Sequence, residues 1–244
     1  MPDWLTPDWP APGRVRAAST LRTGGVSAGP WTSLNLGAHV GDDPAAVTAN
    51  RRLLVEALGL PSEPRWLQQV HGTRVAGCDW QPGCEADAAV TDQPGDVCVV
   101  MTADCLPVLL CNRAGTRVAA AHAGWRGLAA GVLERSAGAF ADPPGDLLAW
   151  LGPAIGPGAF EVGEEVRQAF CAKDPGAAVA FAPSVQAGHW LADLYSLARR
   201  RLAACGVNAV YGGGECTYSD AARYFSFRRD GTTGRMASLV WLAG

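Results

Sequence analysis

Between Asp96 and Gly127 the chain reads DVCVVMTADCLPVLLCNRAGTRVAAAHAGWRG, three short apolar runs separated by Asp, Pro, Asn and Gly and closed by a glycine-rich turn. Short apolar runs bounded by such residues are strand candidates, and three in succession form the centre of a sheet. The residues that follow, RGLAAGVLERSAGAF, read as a helix, so the junction around His122 and Arg126 is a strand–turn–helix. A chain with only four histidines places one of them there, 17 positions after a cysteine that itself follows an aspartate.

The same alternation continues on both sides. RVRAASTL, RWLQQV, DAAVT, LLAWLG, AVAFA, NAVYGG, RYFSFRR and RMASLVWLA read as further strands. DDPAAVTANRRLLVEALGL has acidic residues and a proline at its start, Val47, Leu54 and Leu58 on a helical period, and Gly59 at its end, the pattern of a capped amphipathic helix. VGEEVRQAFCAK and LADLYSLARRRLAACG read as helices. RYFSFRR and RMASLVWLA, joined by a glycine-containing turn, are expected to pair antiparallel. GPAIGPG is a loop at a strand end, and no linker or repeat divides the chain. The expected fold class is α/β, a single domain over residues 1–244 with mixed β-sheet flanked by helices.

The 244 residues, 48% hydrophobic and 18% charged, are ample for a packed core. A net charge of -3 argues against a protein that tracks a nucleic-acid backbone, so a small-molecule substrate is expected. No stretch reaches the roughly 18 uncharged apolar residues of a membrane span, and MPDWLTPDWPAPG lacks the basic and apolar regions of a signal peptide. A cytoplasmic location with no membrane partner is the expectation. The eight cysteines are then reduced thiols, with Cys98, Cys111 and Cys205 acting as small hydrophobes. The absence of any CxxC pair excludes a zinc ribbon or a thioredoxin-type redox site.

His71 in QQVHGTRV, Cys105 after Asp104, and His122 each sit at the end of an apolar run. Two imidazoles and a thiolate form a three-ligand set for zinc, with a fourth position open to water or substrate. Their spacings of 34 and 17 match no local metal motif, so the residues equally admit a Cys105/His122 nucleophile pair or unrelated buried side chains. Arg126 stands where a helix start favours anions, with a surface arginine as the alternative.

At these residues the sequence resembles the YfiH family, also described as laccase-domain or multicopper polyphenol oxidase proteins and as purine nucleoside phosphorylases or peptidoglycan editing factors. The resemblance covers nearly the whole chain and is carried in order by RTGGVS, SLNLGAHVGDDPAAVTANR, QVHGTRV, DAAVT, TADCLPVLL, AHAGWRG, GPAIGPGAFEVGEEV, ECT and FSFRRDGTTGR. It implies that His71, Cys105 and His122 bind one zinc ion. It also implies phosphorolysis of adenosine, inosine and methylthioadenosine to a free base and a sugar 1-phosphate, together with deamination of adenosine. Zinc lowers the pKa of a bound water, which suits attack at C6 of adenine with Asp104, or secondarily Glu161, as proton donor. The H-x-E…P-C-x-x-C signature of nucleobase deaminases is absent. Phosphorolysis requires an anion site beside C1' of the ribose, for which Arg126, Arg228 and Arg22 are candidates. Asn35 and His39 are candidates to hydrogen-bond the base or sugar, with a structural loop role as the alternative.

Three other activities compete. A multicopper oxidase needs on the order of ten histidines, which this chain lacks, although a lone copper on His71, Cys105 and His122 could support weak phenol oxidation. A thiol hydrolase in which His122 activates Cys105 follows from the resemblance of this fold to bacterial cysteine deamidase toxins. The editing-factor name implies a hydrolase of muramyl precursors. A binding module without catalysis is the last, and an open three-ligand set argues against it.

Overall fold

The structure, a computed structural model, describes residues 1–244. Strands β5 (Val97–Thr102), β6 (Leu106–Asn112) and β7 (Val118–Ala123) are buried at every position. Successive side chains of a strand point to opposite faces, so burial without alternation requires a layer on each side of the sheet. Strands β6 and β7 lie in a six-stranded mixed sheet with β3 (Val75–Ala76), β4 (Ala88–Thr91), β8 (Leu147–Leu151) and β12 (Ala209–Gly212), in the order β12-β8-β6-β7-β4-β3. Strand β5 instead joins β1 (Trp4–Leu5), β2 (Val15–Thr20) and β13 (Met236–Leu242) in a four-stranded antiparallel sheet, ordered β1-β2-β13-β5.

The two sheets pack face to face through Leu109, Cys111, Val118 and Ala120 on one side and Cys98, Val100 and Val240 on the other. The alternate residues of β6, Leu106, Val108 and Leu110, face a helical layer. That layer holds α2 (Trp125–Ala130), α3 (Val132–Gly138), α4 (Glu164–Cys171) and α5 (Leu194–Ala204). It is extended by a three-stranded antiparallel sheet of β9 (Glu161–Gly163), β10 (Phe181–Pro183) and β11 (His189–Ala192). On the outer face of the four-stranded sheet, α1 (Pro44–Leu58) sets Leu54 against Val99 and Leu239. The expected single α/β domain is therefore four layers deep.

Local chemistry sets the element ends. Asp43 caps α1 by accepting from Ala45 N–H at 2.9 Å, with Pro44 at the first helical position. The segment expected as one helix after Gly124 is two, because Gly131 adopts φ 111° and breaks α2 from α3. RWLQQV forms no strand: Arg65 and Gln68 make only isolated bridges. Of AVAFA, only Phe181 and Ala182 enter β10, and a 3-10 turn supplies the rest.

RYFSFRR is a larger departure. Tyr224 and Phe225 are fully buried in a non-strand segment, and Ser226 caps a short helix α6 (Phe227–Asp230) by accepting from Arg229 N–H. Strand β13 pairs with β2 and β5 and not with this segment. All eight cysteines are free, Cys98 and Cys111 are fully buried as expected, and Cys205 is the half-exposed cap of α5. No helix is long and apolar enough to cross a membrane.

The GPAIG loop is held from below by Tyr195 of α5. Its hydroxyl accepts from Ala154 N–H at 2.9 Å and donates to the Glu215 carbonyl at 2.7 Å. Tyr195→Phe leaves the buried Ala154 N–H and the half-buried Glu215 carbonyl without this partner and should cost about 1–3 kcal/mol, read as a shifted urea midpoint. An unchanged midpoint would show that water replaces the hydroxyl without loss.

Candidate active site

His122 lies near the end of β7, Cys105 at the entry to β6, and His71 in the loop that precedes β3. Adjacent antiparallel strands β6 and β7 bring Pro107 opposite His122, which sets Cys105 close by. Cys105 Sγ lies 3.8 Å from His71 Nε2, and one ligand atom from each of the three residues falls within 4.8 Å of the others. The imidazole rings of His71 and His122 stand edge to face with centroids 4.8 Å apart. Gly124 makes room for this cluster: a Cβ there would sit 2.9 Å from both Cys105 Sγ and His71 Cδ2.

The fully buried carboxylate of Asp87, immediately before β4, organises the three residues. Its Oδ1 accepts from His71 N–H at 2.9 Å and pairs with His122 Nδ1 at 2.8 Å. Its Oδ2 accepts from Gly72 N–H at 2.6 Å and Val70 N–H at 3.2 Å. With Nδ1 engaged, His122 presents Nε2 to the cluster, the arrangement that carboxylate partners impose on metal-binding histidines. Gln69 secures the other side of the loop, its side-chain amide bonding both Met101 N–H at 2.7 Å and the Met101 carbonyl at 2.8 Å along β5. The only non-glycine residues with positive φ are His71 at 60° and Asp104 at 86°, both at this site. Such backbone costs about 1–2 kcal/mol per residue and persists because surrounding hydrogen bonds fix it.

Electrostatics separates Cys105 from the other thiols. Burial pushes Cys98 and Cys111 up to about 12. Burial also opposes the Cys105 thiolate, but His122 and His71 override it and bring the thiol down to about 6. Burial opposes the His122 imidazolium in turn, while Cys105 and Asp87 lift it to about 9. Asp87 resists burial through His122 and the backbone N–H groups and stays below the ordinary carboxylate range. Each member of the pair thus favours the charged form of the other, and the Cys105 thiol yields its proton to a soft cation more readily than an ordinary cysteine.

The cluster forms the floor of a cleft of about 440 Å³. Arg126, Arg228, Arg235 and His39 line it, with Trp125, Phe160 and Phe227 as its aromatic walls. Arg126 is exposed and stacks 4.5 Å over Trp125. Arg228 donates to the Glu161 carbonyl at 2.8 Å. His39 is held below its ordinary pKa by burial and by Arg235, Arg51 and His122, so it is neutral at physiological pH.

The structure does not bring every sequence candidate to the cleft. Arg22 spends its guanidinium on the carbonyls of Thr32 and Ala221 and does not line the cleft. Asn35 is fully buried and bonds Gly37, Asp42 and the Arg235 N–H, the structural loop role. Asp104 lines the cleft, but both carboxylate oxygens are engaged, by Thr217 Oγ1 at 2.6 Å and Arg228 N–H at 2.7 Å. The Glu161 carboxylate turns away to Ser184.

Residues 16–243 match the family described as multi-copper polyphenol oxidoreductase laccase. Among sequence relatives, a Pseudomonas aeruginosa protein named purine nucleoside phosphorylase is 61% identical, with 98% of each chain covered. The Escherichia coli purine nucleoside phosphorylase YfiH is 58% identical, again over 98% of each chain. Among solved structures, a Neisseria meningitidis protein superposes with TM-score 0.95 at 54% identity over 99% of both chains. YlmD from Geobacillus stearothermophilus gives 0.89 at 33% identity, covering 99% of this chain and 96% of its own. The chain belongs to the YfiH family.

Asp87, Gln69 and Arg235 belong to the site and are not among the residues singled out from the sequence. All three lie inside motifs that carry the family resemblance, and a polar or charged side chain at the edge of an apolar run is the available signal. Asp87→Asn tests the organising role. It should weaken divalent-cation affinity about 10–100-fold, measured against a chromophoric chelator, and lower the His122 titration midpoint seen by NMR in metal-free protein. Unchanged affinity and midpoint would show that Asp87 does not organise the site.

Proposed function

We propose that this chain is a zinc-dependent purine nucleoside enzyme, acting as one catalytic unit over residues 1–244 in the cytoplasm. Its reactions are phosphorolysis of adenosine, inosine and methylthioadenosine and deamination of adenosine. The observation that carries the reading is the cleft itself: an open His71, Cys105, His122 set under aromatic walls, with guanidinium groups facing the same space. Its volume suits a nucleoside-sized ligand. The names of relatives at 61% and 58% identity agree with it.

The donor set fits zinc: two imidazole nitrogens and a thiolate held below its ordinary pKa, with one imidazole oriented by a buried carboxylate. His71, Cys105 and His122 would hold the ion, which when bound supplies Lewis-acid stabilisation of developing negative charge. Trp125, Phe160 and Phe227 offer faces for the purine and exclude water from it. Arg126 and Arg228 contribute positive charge toward the anionic co-substrate. Asp104, with both oxygens accepting, holds the Arg228 segment in place, and we assign it positioning in preference to proton donation. Zinc is favoured over copper for group transfer, and the two histidines outside the set, His39 and His189, are too few for a copper cluster.

Inosine should release hypoxanthine only when phosphate is present, while adenosine should convert to inosine without it. Equal base release in phosphate-free buffer would make the protein a hydrolase.

One observation favours a second reading, a thiol hydrolase: the Cys105 thiolate beside the His122 imidazolium is also a nucleophile pair. Iodoacetamide separates the two. A ligand cysteine is shielded in the zinc-loaded protein and alkylated after chelation, whereas a nucleophile reacts at the same rate in both forms and yields a trappable substrate adduct.

A further inference from the structure

Arg235 is the half-buried arginine of the cleft, and it forms no ion pair. It precedes β13, where its backbone N–H donates to Asn35 Oδ1 at 2.9 Å, the same oxygen that accepts from Gly37 N–H at 2.9 Å. Gly37 opens the path for the side chain, since a Cβ there would lie 2.7 Å from Arg235 Cγ. The half-buried guanidinium reaches the cleft beside His39, and its charge is felt by both Cys105 and Asp104. Its Nη1 donates to the carbonyls of Thr233 and Gly234 at 3.1 and 3.0 Å. Nε and Nη2 have no acceptor in the protein, and no carboxylate pairs with the group, because the Asp104 oxygens are taken by Thr217 and Arg228 N–H.

A partly desolvated guanidinium without a counter-ion is costly unless a ligand supplies one. The other cleft arginines differ in this respect. Arg126 is exposed, so water satisfies it, and Arg228 is engaged by the Glu161 carbonyl. Arg235 alone combines partial burial, a fixed backbone and a free pair of donors spaced for two oxygens of one oxyanion.

We propose that Arg235 and His39 form the phosphate subsite of this cleft, the Nε–Nη2 edge taking two phosphate oxygens and the imidazole a third. The assignment rests on the phosphorolysis reading of the same site. There, an oxygen of hydrogen phosphate bonds to C1' as the C1'–N9 bond breaks, the electron pair leaves with the purine, and the phosphate proton ends on the departing base. Asn35 and Gly37 act through Arg235 as positioning residues. Free phosphate is the ligand, in preference to the 5'-phosphate of a nucleotide.

Inorganic phosphate titrated calorimetrically into the zinc-loaded protein tests this without turnover. Arg235→Gln should weaken phosphate binding at least tenfold. Gly37→Ala, which keeps every guanidinium but displaces this one, should do the same, and Arg235→Lys should lose part of the affinity. Zinc content and thermal unfolding report whether each variant is folded. Unchanged phosphate affinity in folded Arg235→Gln, or a loss confined to Arg126→Gln, would overturn the subsite. So would Arg235-dependent binding of inosine 5'-monophosphate in a protein that does not bind inorganic phosphate. Phosphate binding that depends on Arg235, in a protein unable to phosphorolyse inosine, supports the subsite and overturns the functional reading instead. Active enzyme whose phosphate KM is unmoved by Arg235→Gln overturns the subsite alone.

Discussion

The hydrogen bond between the Asp87 carboxylate and His122 Nδ1 is the contact on which the rest of the site depends. It ties β4 to β7 side chain to side chain, and the neighbouring bond from His122 N–H to the Asp87 carbonyl, at 2.7 Å, ties the same two residues through the backbone. The same carboxylate gathers the Val70, His71 and Gly72 N–H groups, so one buried charge fixes both a strand histidine and a loop histidine. A buried carboxylate is tolerated only where donors surround it. Here those donors are the backbone of the loop that must be held, and the cost of burying the charge is offset by the geometry it enforces.

The layered fold makes this arrangement rigid. Strands β6 and β7 are covered on both faces, so the ends that carry Cys105 and His122 cannot shift without disturbing two packed cores. Loops from distant parts of the sequence then close over the strand ends. Gln69 anchors one to β5, Tyr195 supports the GPAIG loop, and the Asp104 carboxylate holds the start of α6 through Arg228 N–H. The cleft is where the four-stranded sheet, the six-stranded sheet and the helical layer meet, which explains why its walls combine residues from His39 to Arg235.

Much of the fold was legible because its central strands are unbroken apolar runs, and α1 was legible from Asp43, Pro44 and Gly59. RYFSFRR misled because Phe225 and Tyr224 are apolar for a reason other than strand pairing: they fill a separate small core with Ala103 and Met236. His71, Cys105 and His122 were legible as a chemical set, and their approach to one another is a product of the β6–β7 register and the Asp87 loop. Asp87 itself resembles an ordinary turn residue before a strand, and Arg235 an ordinary strand flank. Their roles arise from partners 16 to 200 positions away, Asp87 with His71 and Arg235 with Asn35, which no local pattern encodes.

On the proposed reading, His71, Cys105 and His122 form one soft, open metal site and not a bare nucleophile pair. X-ray absorption at the zinc edge, on active protein purified without chelator, tests it most directly. About one zinc per chain is expected, with a single sulfur at about 2.3 Å and nitrogens at about 2.0–2.1 Å. Its sulfur signal should vanish in Cys105→Ser. Fully active protein that contains no metal, or a bound ion whose nearest neighbours are nitrogen and oxygen alone, would contradict it.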